Sequence, residues 1–263
     1  ILKKGKSLSF VLVLALACIS NFYTTFMICL SIPIFLLHFQ VALTENFTMR
    51  KYLKYLFTVL WHGILGAMLA ASFLIPIFFD LSEGTKMLSA SWDAQYSVLE
   101  LFRAMLIGGY ETIRPGGIPF LYVGMPVLGL AIYYFFSNSI NRESKYVAAG
   151  ILGIFFLSFV VQPLYLIWHG FDVPDWFEGR FSFIFCFFIV YIAFLSIAQE
   201  DKRKKRMSSS PKIKFIFPKI KLKNIVGLVI VLCGILYFAD INDKNNVIIA
   251  VTIMFCCLYG IIL

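Results

Sequence analysis

YVAAGILGIFFLSFVVQPLYLI (146–167), WHGFDVPDWFEGR (168–180) and FSFIFCFFIVYIAFLSIA (181–198) follow one another directly, and that order decides the fold. The two outer stretches contain no Asp, Glu, Lys or Arg, whereas the middle one holds His169, Asp172, Asp175, Glu178 and Arg180. As helices the outer stretches measure about 33 and 27 Å, close to the ~30 Å hydrocarbon core of a bilayer. The middle stretch then reads as a short loop at a membrane surface. Trp168 and Trp176 anchor it there, because aromatic rings with a polar edge prefer headgroup depth.

The same alternation runs through the chain. Apolar segments occupy residues 8–20, 22–39, 53–79, 120–136, 146–167, 181–198, 225–239 and 247–263, with charge confined to the stretches between or beside them. Apolar residues make up 60% of the 263 and charged ones only 14%, which excludes an ordinary soluble domain. The expected fold is an all-α polytopic transmembrane bundle of about seven spans plus a half-span hairpin arm. Residues 1–198 form its core, with outer loops 80–119 and 168–180; 199–224 form a basic cytoplasmic linker, and 225–263 two further helices. Ile1 at the start and an apolar run ending at Leu263 read as an internal fragment of a longer chain. All six cysteines lie in apolar runs without metal-ligand spacing, so neither a disulfide nor a metal site is expected.

Charge sets the orientation. Residues 1–7, 40–52 with Lys54, 137–145 and 199–224 carry net +14, while 80–119, 168–180 and 240–246 carry net −5. Basic loops face the cytoplasm, so the loop 168–180 faces outward. The sorting requires residues 8–39 to enter and leave on one side, since a single straight helix of that length would run about 48 Å. A hairpin turning near Asn21 meets the requirement, and Asn tolerates tight backbone geometry. Within 53–79, Gly63, Gly66, Ala67, Ala70 and Ala71 invite close helix packing, His62 is an intramembrane ionisable group best read as a packing histidine, and Pro76 should bend or stop the helix. Residues 96–107 place Val98, Leu99, Leu101, Phe102, Met105 and Leu106 on one stripe, an amphipathic helix expected on the outer surface.

The linker 199–224 has ten basic and two acidic residues interleaved with Ile and Phe. Between two spans it suits the anionic inner leaflet, and no nucleic-acid partner is expected. The sequon at Asn46 falls on the inner side and carries no weight.

No phosphate loop, nucleophile elbow or zinc spacing is present. What the sequence does offer is an outward group of cations beside apolar spans. Arg180, Arg103 and Arg114 can neutralise a phosphate by charge-assisted hydrogen bonds, and His169 can donate to it. Asp172, Asp175 and Glu178 are candidates for an acceptor-activating base, although solvated loop carboxylates are commoner.

WHGFDVPDWFEGRFSFIF (168–185), with NFYTTFM (21–27), LGAMLAASFLIP (65–76) and GIPFLYVG (117–124), resembles the YfhO family of bacterial membrane proteins. The resemblance implies a GT-C type glycosyltransferase in the bacterial plasma membrane. Such an enzyme would use a polyprenyl-phosphate sugar donor on the outer face and decorate a cell-envelope polymer such as lipoteichoic acid. By position, His169 and Arg180 match the family's WHG and RFSF patches, and Asn21 and Tyr23 its NFY patch; these, with Arg103 and Arg114, are the expected donor-phosphate residues. GT-C enzymes carry their acidic catalytic residue in the first outer loop, which would precede Ile1, so no catalytic base is assigned within the chain. No organic cofactor is implied, and dependence on a divalent ion is left open. Two other readings stand beside this one. A transporter or flippase of lipid-linked sugars would use the intramembrane polar residues His38, His62 and Gln162; a non-catalytic membrane scaffold would use the aromatic loop only as an anchor.

Overall fold

A computed structural model describes residues 7–44, 47–84, 95–107, 117–171, 174 and 179–207, with backbone alone for 82–84 and 202–207. The regular elements among them are helices, as expected. They divide into two compact units, Ile1–Asp93 with Val161–Pro174, and Ala94–Val160 with Asp175–Leu263.

In the first unit, α1 (Ser7–Ser20) and α2 (Phe22–Leu43) are separated by Asn21 alone. Asn21 leaves the helical region at φ −158°, ψ 91°, and its side-chain oxygen accepts the Thr24 N–H at 2.9 Å, so it caps α2. The Thr25 hydroxyl donates to the Asn21 carbonyl at 2.8 Å. In one straight helix Cys18 and Cys29 would stand about 16 Å apart. Instead Cys29 packs against the cluster formed by Leu14, Ala15, Cys18 and Ala70, so the chain folds back at Asn21 as expected.

The apolar segment 53–79 is not a single helix. It divides into α3 (Met49–Leu69) and α4 (Ala71–Gly84) at Ala70, which is fully buried. Pro76 does not stop the chain, because α4 continues through it to Gly84. The small residues do what their spacing implied: a Cβ on Gly66 would stand 3.1 Å from the Val11 carbonyl oxygen and 3.1 Å from a Leu14 methyl. Glycine there lets α3 lie directly on the backbone of α1.

The second unit holds α5 (Val98–Ala104), α6 (Met125–Phe136), α7 (Arg142–Val160) and α9 (Ser182–Met207), while the short α8 (Gln162–Trp168) belongs to the first. Ser97 and Glu100 form a reciprocal capping box that fixes the start of α5. The helix is shorter than the expected 96–107, and its stripe is not all turned to one surface. Leu101 is fully buried and Phe102 meets the Phe156 ring at 5.5 Å, while Val98 stays exposed. Residues 117–124 form no regular element, so the span expected from 120 begins only at Met125, behind Gly124 at φ +89° and with Pro126 in the first turn. α6 and α7 pack on α9. The core of this unit is aromatic: Phe159 stacks on Phe181 at 4.3 Å, and Phe155 and Phe156 meet Phe185 edge-on. At its charged end, Lys145 donates to the Ser137 carbonyl at 2.6 Å, and the Ser139 hydroxyl donates to the Glu200 carboxylate.

The expected span 146–167 is also broken, at Val161. Pro163 has no N–H for the Phe159 carbonyl and its ring crowds that turn, so α7 cannot continue through it. The Val160 carbonyl freed by the break accepts the Gln95 N–H at 2.9 Å, which satisfies that acceptor.

Among the described residues four helices are long and apolar enough to cross a membrane: α2, α3, α7 and Ser182–Asp201 of α9. α1, α4 and α6 are shorter apolar helices. Phe57, Phe78, Phe136 and Phe194 point outward from these helices, an arrangement that fits lipid rather than water. The linker beyond 207 and the segments 225–239 and 247–263 lie outside the described residues.

Candidate functional site

The break at Val161 has a second consequence, since it starts the short helix that carries Trp168-His169-Gly170. Gly170 lies in the left-handed region at φ +68°. Its N–H reaches the Ile167 carbonyl at 3.4 Å, and the Phe171 N–H reaches the Leu166 carbonyl at 2.8 Å. Together these two bonds make a Schellman motif, which a glycine in this position favours. His169 is therefore the C-cap of α8, and the motif holds its side chain close to the helix end. Phe171 is also left-handed at φ +66° although it has a Cβ, and its ring is 64% exposed.

The His169 ring is 3% exposed, and two tyrosines hold it. Tyr165, one turn earlier on α8 and 1% exposed, places its ring 4.5 Å from the imidazole at a 38° tilt. Tyr23, in the first turn of α2, shares a hydrogen bond between its hydroxyl and His169 Nδ1, with ring centroids 5.9 Å apart. Tyr23 and His169 are 146 residues apart in the chain. Their bond sets the fold-back at Asn21 and the end of α8 side by side. Asn21 supports the pair by starting α2 immediately before Tyr23, and its side-chain oxygen is spent on the cap.

Arg180 is placed in the second unit by a different device. It follows Gly179, whose φ of +67° and contact with Pro119 allow no side chain, and it precedes the start of α9, where Ser182 N–H bonds the Gly179 carbonyl at 2.9 Å. Arg180 as a residue is exposed. Arg103 sits in the last turn of α5, partly buried. Arg114, Asp172, Asp175, Trp176 and Glu178 lie outside the described residues.

Of the polar residues inside spans, His62 is satisfied locally, its Nδ1–H donating to the Thr58 carbonyl at 2.7 Å. His38 is fully buried in α2. Among the described residues no group of three His, Cys, Asp or Glu side chains converges as a metal site would. Tyr165 is the residue that motif reasoning did not single out. An aromatic four positions before a histidine on one helix face is the signal that could have found it.

Several apolar helices of spanning length define a helical multi-pass membrane protein. The chain belongs to the family described as bacterial membrane protein YfhO, which it matches over residues 1–263. No curated protein and no solved structure matches it.

Proposed function

We propose that this chain is part of a membrane glycosyltransferase that takes a sugar from a polyprenyl-phosphate donor on the outer face of the bacterial membrane and transfers it to a cell-envelope polymer. The observation that supports this most directly is the buried His169 held by Tyr23 and Tyr165 at the end of an apolar helix. A ring N–H donor in a low-dielectric setting stabilises a phosphate oxyanion better than the same group in water. Arg180, exposed just before α9 and part of the RFSF patch of the family likeness, is a cation of the kind a departing phosphate needs. The YfhO likeness points the same way, and the envelope polymer and the sugar follow from that likeness alone.

The test is transfer of labelled sugar from polyprenyl-phosphate donors in membranes holding the full-length protein, beside Arg180→Ala and His169→Gln. Transfer lost in both variants, with insertion intact, supports the reading; equal transfer by all three sinks it. The transporter reading keeps one favourable observation, the fully buried His38 inside α2. Movement of an intact lipid-linked sugar across vesicles, without transfer and dependent on His38, would favour it.

A further inference from the structure

An arginine taken partly out of water normally brings a carboxylate or several carbonyls with it, because a desolvated guanidinium without partners is costly. Arg103 has neither. Its Nε is enclosed with no hydrogen-bond partner, while the two terminal nitrogens, which also find none among the described residues, stay accessible. Glu100, the acid nearest in sequence, stands three positions earlier on the same helix, where acid and base are neighbours. Its carboxylate is instead turned back to the Ser97 N–H at 2.9 Å, as half of the capping box. The Phe102 and Arg103 carbonyls are taken by the N–H groups of Met105 and Leu106.

The same helix sits beside the end of a span. Phe102 meets Phe156 of α7, and the Gln95 N–H, just before α5, bonds the Val160 carbonyl in the last turn of α7. Val98 and Phe102, four positions apart, are 53% and 41% exposed and make an apolar ridge beside Arg103. A ridge of this kind next to a cation with a planar fork of donors matches an acyl chain next to its phosphate.

We infer that α5 is a lipid-binding element in which Arg103 grips the headgroup phosphate of a resident phospholipid while Val98 and Phe102 lie against its acyl chain. By the charge sorting the leaflet is the outer one. This gives Arg103 a phospholipid in place of the sugar donor, and it does not rest on the glycosyltransferase reading.

The experiment is native mass spectrometry of the full chain released from nanodiscs of phosphatidylglycerol, or of a phosphate-free diglucosyl diacylglycerol with the same acyl chains. The parent should keep one more phosphatidylglycerol per chain than Arg103→Gln, and should hold it about tenfold more tightly, the contribution of charge-assisted hydrogen bonds. Arg103→Lys, which keeps the charge, should recover part of the retention. The glycolipid should be held equally weakly by parent and Arg103→Gln. Equal retention of phosphatidylglycerol by the parent and Arg103→Gln overturns the assignment. A glycolipid held as tightly as phosphatidylglycerol overturns it too, since the ridge alone would then suffice. Displacement of the retained lipid by inorganic phosphate would make free phosphate the ligand, and displacement by equimolar polyprenyl phosphate would return Arg103 to the donor; either result sinks the resident phospholipid. Retention is read without sugar transfer, so this inference and the proposed function can fail separately.

Discussion

Gly179 lies so close to Pro119 that a Cβ on the glycine would stand 2.7 Å from the proline Cβ, closer than carbon atoms approach without displacement. The contact joins the segment 117–124 to the turn that opens α9, and the same segment takes a hydrogen bond from Cys186 at the Phe120 carbonyl. Arg180 follows this junction directly in the chain.

Gly179→Ala meets both the contact and the left-handed backbone at φ +67°. The loss of stability should be about 2–4 kcal/mol, combining the left-handed penalty with overpacking. Thermal melting in detergent checks it, and a melting temperature equal to the parent's contradicts the account.

Arg180→Ala should separate function from folding. Transfer should drop by about 100-fold, the usual cost of removing one oxyanion partner, by more than any fall in melting temperature of the same variant accounts for. Arg180→Lys should recover only part of it, because an ammonium lacks the planar fork that grips phosphate. Full activity in the lysine variant would show that charge alone suffices.

Asn21→Ala removes the cap of α2 and should cost about 1 kcal/mol, while Asn21→Ser or Asn21→Asp should keep the cap and most of that stability. If Asn21 also bound donor directly, all three variants would lose transfer together. Transfer that follows the melting temperature across the series instead assigns Asn21 to capping.

Gly66→Leu should separate α1 from α3, since even a Cβ there stands 3.1 Å from the Val11 carbonyl. A loss of about 1–3 kcal/mol is expected from forcing the pair apart. Phe171→Gly should act in the opposite direction, relieving the left-handed strain at φ +66° by about 1 kcal/mol. A Phe171→Gly protein that melts lower than the parent would mean that its ring contributes packing despite its exposure.

Composition and the spacing of charge determined, by themselves, that this chain is a helical membrane protein. Bilayer thickness sets the length of apolar runs, and burying a charge in lipid is costly at any position along them. The break at Asn21 was legible because the charge pattern and the length of 8–39 required a turn and Asn tolerates one, while its role as the cap of α2 came from the structure. The small-residue stripe was legible too, and Leu14 and Val11 proved to be its partners. Where the apolar runs divide was harder to read. A hydrophobic run looks continuous whether or not one residue in it leaves the helix, and Ala70 and Val161 carry no sign of their own. Pro163 marked the second break, whereas Pro76 lies inside α4, so a proline alone does not tell which apolar run divides. The pairing of Tyr23 with His169 across 146 residues was beyond any local pattern. Side-chain proximity at that separation depends on how α2 and α8 pack, and only the tertiary structure decides that.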